Sequence, residues 1–168
     1  SEEEEREHIR LAIDSITETT GKRPVGWYCR YGPSVRTRRL LVEEGGFLYD
    51  ADAYNDDVPY FTEVEGTRHL VVPYTTDTND FRFWLSPGLS SGREFLDYLK
   101  EGFEVLLEES VKGPRMMSIG LHPRMVGRPG KIRALKAFIE YALGHEGVWF
   151  ATREDIARAW MTREGHRE

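Results

Sequence analysis

Three groups of residues in this chain have the types and spacing to do chemistry. His122 stands in "MMSIGLHPRMVGRPGK", where a run of small and apolar residues gives way to a basic, glycine-rich bend. An imidazole titrates near neutral pH and moves a proton in either direction, so a histidine placed there can act as general acid or base. Its alternative use is to hydrogen-bond a loop. The segment "DADAYNDDVPY" puts Asp50, Asp52, Asp56 and Asp57 in one stretch. Clustered acids can hold a metal, raise a carboxyl pKa by like-charge repulsion, or grip a polar substrate; Asp and Asn serve equally as turn and cap residues. Arg30, flanked by aromatics, offers a guanidinium to a carboxylate, an imide oxygen or a catalytic aspartate. Arg36, Arg38 and Arg39 read instead as the solvated face of a helix.

Several other chemistries are excluded. The acids lack the glycine and terminal glutamate of an EF-hand loop. His8, His69, His122, His145 and His166 contain no pair at zinc-type spacing, so no metal site is expected from this chain alone. No phosphate-binding or dinucleotide fingerprint occurs, and "GLSSG" is not a nucleophile elbow. Cys29 has no cysteine motif around it and reads as a small buried hydrophobe.

The elements that must position these residues alternate along the chain. "SEEEEREHIRLAIDSITETTGK" is a helix with Ile9, Ile13 and Ile16 at helical spacing, acids crowding its start and Gly21 ending it. "RPVGWYC" reads as a short buried strand, "PSVRTRRLLVEEGG" as a helix capped near Ser34 and ended by Gly45-Gly46, and "FLYDAD" as the next strand. "YFTEVEGTRHLVVPY" reads as a hairpin about Glu65-Gly66, followed by an irregular polar segment. Ser91 and Glu94 have capping-box spacing ahead of an apolar face of Phe95, Leu99, Phe103, Leu106 and Leu107, in a helix ending near Gly113. "RMMSIGLH" is expected to be a strand, "GKIRALKAFIEYALGH" a helix burying Ile132, Leu135, Ile139 and Leu143, and "GVWFAT" the last strand. Thr152 and Asp155 cap a closing helix.

Such alternation implies βα units and a largely parallel sheet with an added hairpin. Parallel strands present their working groups at their carboxyl ends. The strand ends here carry Cys29-Arg30-Tyr31, then Asp50 and Asp52, then His122 and Arg124, then Thr152 and Arg153, so these residues are expected to share one rim.

At 168 residues, 39% hydrophobic and 31% charged, the chain has the make-up of one ordinary domain. No window approaches a membrane span, and a net charge of -6 argues against a nucleic-acid partner. A single cysteine and the lack of an apolar leader make a reducing cytoplasm the default. Ser1 at the start fits either methionine excision or removal of an upstream half.

Taken together, "TGKRPVGWYCRYGPSVRTRRLLVEEGGFLYDADAYNDDVPY", "LVVPYTTDTND", "MMSIGLHPRMVGRPGK" and "GVWFATREDIARAW" resemble the carboxyl-terminal part of the polysaccharide-deacetylase superfamily, closest to its deacetylase-like allantoinase and cyclic-imide hydrolase branch. The resemblance covers nearly the whole chain. It implies a distorted (β/α) barrel and hydrolysis of an amide-type C–N bond: opening of allantoin to allantoate, or, alternatively, N-deacetylation of peptidoglycan or another aminosugar polymer. Its strand-end "LH" motif falls on Leu121-His122, which makes His122 the expected proton donor to the departing nitrogen. Arg30, Asp52, Asp56 and Arg124 are the expected substrate contacts. The motif "GFRAPYG" reads "GWYCRYG" here, so Tyr28 occupies the usual arginine position. The family's catalytic aspartates and metal-binding histidine pair fall before the first helix of this chain. A divalent metal such as zinc is therefore left open for the full-length protein, with no cofactor expected within residues 1–168.

A closed barrel needs seven or eight strands and more than about 200 residues. The chain is accordingly expected to be a single region completed by an amino-terminal segment or a companion chain. A non-catalytic half-barrel subunit is a third reading. Homo-oligomerisation is expected from an apolar patch around Phe81, Phe83 and Trp84.

Overall fold

The acidic amino-terminal segment folds as anticipated, for reasons visible at both ends. In the computed structural model, which describes residues 1–165, α1 spans Glu2–Thr20. His166 lies outside the described residues. Ser1 Oγ accepts the Glu4 amide hydrogen at 3.2 Å, and Gly21 closes the helix at φ 73°, a left-handed conformation that glycine adopts without a Cβ penalty. Ile9 and Ile13 are buried against Leu40 and Leu41 of α2 (Thr37–Glu44), with Trp27 and Phe47 packed alongside. Ile16, one turn further, is 42% exposed. The cap of α2 differs from expectation: Arg36 is at the N-cap without a side-chain bond, and the Ser34 hydroxyl instead accepts the Arg36 amide within the preceding turn.

These helices belong to a compact unit formed by Ser1–Tyr74 and the segment from Ala151 onward. Its sheet has the order β1-β2-β4-β3, from β1 (Gly26–Trp27), β2 (Tyr49–Asp50), β3 (Tyr60–Val64) and β4 (Thr67–Val71). β1, β2 and β4 are parallel, with Trp27 level with Asp50 and Asp50 level with Val71. β3 pairs antiparallel with β4 through a two-residue turn in which Glu65 and Gly66 both take positive φ, 48° and 79°. That combination matches the right-handed twist of a hairpin. The first two ladders are short, but backbone bonds prolong them toward their carboxyl ends, from Ala51 N to Trp27 O at 2.8 Å and from Val72 N to Asp50 O at 2.9 Å. Gly26 is required by a close approach, since a Cβ there would lie 2.2 Å from the Tyr49 ring. In the closing helix α6 (Arg153–Gly165), Thr152 Oγ1 accepts the Asp155 amide at 3.1 Å and donates to its carboxylate at 2.6 Å, the expected reciprocal cap.

The second unit, Thr75–Phe150, is built on two helices, α3 (Gly92–Glu109) and α5 (Pro129–Leu143). Phe95, Leu99 and Phe103 line the inner face of α3 and pack on Ala134, Leu135, Phe138 and Ala142 of α5. Phe103 and Phe138 meet edge to face at 5.9 Å. The buried stripe of α5 is thus rotated from the expected one: Ile132 and Ile139 flank it half-buried, and Leu143 is 62% exposed. At about 100° per residue, a stripe through 134, 138 and 142 turns position 143 away. Ser91 Oγ accepts the Glu94 amide at 3.2 Å, while the Glu94 carboxylate reaches back to the Ser90 amide, one residue earlier than in the usual box. Ser91→Ala is expected to cost about 1 kcal/mol in urea unfolding.

Two expected strands do not form. Along "RMMSIGLH" only Gly120 makes a bridge, parallel to Asn79, and "GVWFAT" makes none among the described residues. A strand exists only through its ladder partner. Here residues 114–119 and 148–150 have no such partner among the described residues.

Candidate active site

The Asn79–Gly120 bridge sets the geometry around His122. Gly120 N donates to Thr78 O at 3.1 Å and Asp80 N donates to Gly120 O at 2.9 Å, which brings Asp80 beside the end of the "IGLH" run. Asp80 opens a 3-10 helix, Asp80–Trp84, and is fully buried. Its Oδ2 accepts the backbone hydrogens of His122 at 2.8 Å and Val126 at 3.2 Å, so the carboxylate caps α4 (Pro123–Val126). Its Oδ1 lies 2.6 Å from His122 Nδ1. A carboxylate only accepts, so Nδ1 carries the hydrogen and the tautomer is fixed. The His122 side chain keeps 34% of its surface accessible, leaving Nε2 as the atom that can exchange a proton with a bound molecule. Arg124 is exposed and lies over the Trp84 ring at 5.6 Å.

In the first unit the acids separate into distinct roles. Asp50 is fully buried between Arg38, which donates through Nε at 2.7 Å and Nη2 at 3.0 Å, and His69, whose Nε2 is 2.9 Å away. Burial alone would raise this carboxyl; hydrogen bonds from His69 and Arg38 overcome it and bring it down to about 2. Arg38 is therefore a structural ion-pair partner and not part of a solvated face. Arg39 likewise bonds Glu2 and Glu43, each at 2.7 Å. Asp50 Oδ1 also accepts the Asp52 amide, which fixes the turn after β2. Asp52 accepts the Cys29 amide through Oδ1 at 2.9 Å, while its Oδ2 is buried with no hydrogen-bond partner among the described residues. Burial raises the Asp52 carboxyl above the usual aspartate range. Asp56 is exposed and accepts the next residue's amide, a turn role. Arg30 is exposed with its guanidinium 4.6 Å from the Tyr31 ring. Burial pushes the Cys29 thiol up to about 11, which keeps it protonated and unreactive at neutral pH.

Asp80 closes "LVVPYTTDTND", one of the stretches that carry the family resemblance, but no spacing within that stretch marks it as a site residue. Only its burial and a partner 42 residues away reveal it. The sequence-expected residues fall in both units: Arg30, Asp52 and Asp56 in the first, His122 and Arg124 in the second. Phe83, expected on an apolar surface patch, turns onto Phe95 at 5.4 Å, while Trp84 stays 66% exposed.

The donor set does not suit a metal. Asp50 is taken by a guanidinium and an imidazole, Asp80 by an imidazole and two amides, and no group of three or more metal-ligating side chains gathers among the described residues. No helix among the described residues is long and apolar enough to cross a membrane.

The first unit carries a mostly parallel α/β sheet, and the second a histidine oriented by a buried carboxylate. No family model matches the chain. A Schizosaccharomyces pombe relative assigned to the polysaccharide deacetylases is 36% identical, over 98% of this chain and 57% of its own length. Two solved structures, a probable polysaccharide deacetylase from Pseudomonas aeruginosa PAO1 and PuuE allantoinase, are each 53% identical with a TM-score of 0.90, covering 96% of this chain and 54% of theirs. A Mycobacterium smegmatis structure, 24% identical at a TM-score of 0.83, shares the fold. The chain belongs to the polysaccharide-deacetylase family, with close structural likeness to a deacetylase-like allantoinase. It spans a little over half the length of these relatives, and so part of their barrel fold.

Proposed function

We propose that the protein carrying this chain hydrolyses an amide-type C–N bond and opens a cyclic amide, converting allantoin to allantoate. The observation that carries this reading is the His122–Asp80 pair, supported by 53% identity to PuuE allantoinase across almost the whole chain. Water adds to the planar carbonyl carbon, giving up a proton to a base that the amino-terminal segment would supply, and the carbonyl oxygen becomes an oxyanion, which a basic group or backbone amides must face. Arg124, two residues beyond His122, is the proposed partner for it, with Arg30, Asp52 and Asp56 as substrate contacts. The C–N bond then breaks, its electron pair stays on nitrogen, and His122 Nε2–H delivers the proton that makes this a good leaving group. Asp80 holds the imidazole in register and offsets its positive charge before the transfer.

Purine breakdown in the cytoplasm, completion of the site by an amino-terminal segment or companion chain, self-association, and a divalent metal such as zinc in the full-length protein all belong to the same proposal. Incubating full-length protein with allantoin is expected to yield allantoate. Acetate release from an aminosugar oligomer without turnover of allantoin would replace this reading with N-deacetylation.

A further inference from the structure

Three neighbouring parallel strands each deliver a tyrosine to the carboxyl end of the first unit's sheet: Tyr28 after β1, Tyr54 after β2 and Tyr74 after β4. The Tyr28 and Tyr74 ring centroids are 5.0 Å apart, those of Tyr54 and Tyr74 6.0 Å, and the Tyr28 and Tyr54 hydroxyls meet at 3.0 Å. Tyr74 forms the half-buried base, fixed by its amide bond to Ala53 O at 2.8 Å. Tyr28 and Tyr54 remain 46% and 51% exposed. Both rings therefore reach the rim where βα architecture places its sites.

We infer that the Tyr28–Tyr54–Tyr74 cluster is a ring-binding subsite for an uncharged planar heterocycle that carries carbonyl and N–H groups. The inference rests on the cyclic-amide reading above and names how that ring is held. Flat aromatic faces stack a planar ring, and the paired hydroxyls, one donating and one accepting, can exchange their mutual bond for bonds to a carbonyl and an N–H. Burial and the Tyr54 hydrogen bond push the Tyr28 hydroxyl up to about 12, so it stays a neutral donor at any physiological pH.

The test is calorimetric titration of the full-length protein with hydantoin, the bare ring, which needs no turnover. Saturable binding by the wild type, weakened about tenfold by Tyr54→Ala and a few-fold by Tyr54→Phe, is expected. Equal affinity in the variants, no binding by the wild type, or displacement of hydantoin by an N-acetylglucosamine oligomer would overturn the subsite. Absence of allantoin hydrolysis with tyrosine-dependent hydantoin binding would sink the proposed function and leave the subsite standing.

Discussion

Asp50→Asn is expected to destabilise the protein by about 3–5 kcal/mol, read from urea unfolding at neutral pH. The substitution conserves shape but removes a fully buried negative charge that answers both Arg38 and His69. Removing that charge leaves the Arg38 guanidinium without its counter-charge and the buried His69 ring facing an amide, and that cost exceeds what a surface pair contributes. The sign with pH follows from the lowered carboxyl. Its folded value, about 2, lies below the ordinary aspartate value of about 3.9, so the stabilisation is complete above that ordinary value and is lost as pH falls toward 2. Between pH 5 and 2 the wild type is therefore expected to lose more stability than Asp50→Asn. Parallel acid profiles for the two proteins would contradict this account of Asp50.

His122→Ala in the full-length protein is expected to lower kcat by about 10²–10⁴-fold, the usual contribution of a positioned proton donor. The KM is expected to change little, because the lost interaction is made chiefly in the transition state. Asp80→Asn should fall in the same direction, since an amide no longer fixes the Nδ1–H tautomer or offsets the imidazolium charge. Added imidazole separates the two variants. It is expected to restore part of the activity of His122→Ala, whose missing group it replaces, and to leave Asp80→Asn unchanged, where the imidazole is present but held in the wrong state.

Local chemistry was the most legible part of the sequence. The Ser91 and Thr152 caps, the glycine stop at Gly21 and the Glu65-Gly66 turn depend on residues within a few positions of one another, so spacing alone locates them. His122 stood out for a related reason, a polar residue ending an apolar run. Less was legible where the outcome depends on distant partners. Hydrophobic pattern alone cannot show whether "RMMSIGLH" and "GVWFAT" find ladder partners, and the shift of the α5 stripe toward Ala134, Phe138 and Ala142 follows from the side chains that α3 presents. Asp80 and the tyrosine cluster are non-local in the same way. Their members sit in separate stretches of the chain, and their pairing emerges only when the backbone brings them together.

The most direct test of the assignment of His122 compares kcat for the full-length protein and its His122→Ala variant across cyclic amides whose departing nitrogen is progressively more acidic. A nitrogen able to leave as an anion needs no proton, so the deficit of the variant is predicted to shrink steadily along the series. A deficit of constant size, whatever the leaving nitrogen, would contradict the role of His122 as its proton donor.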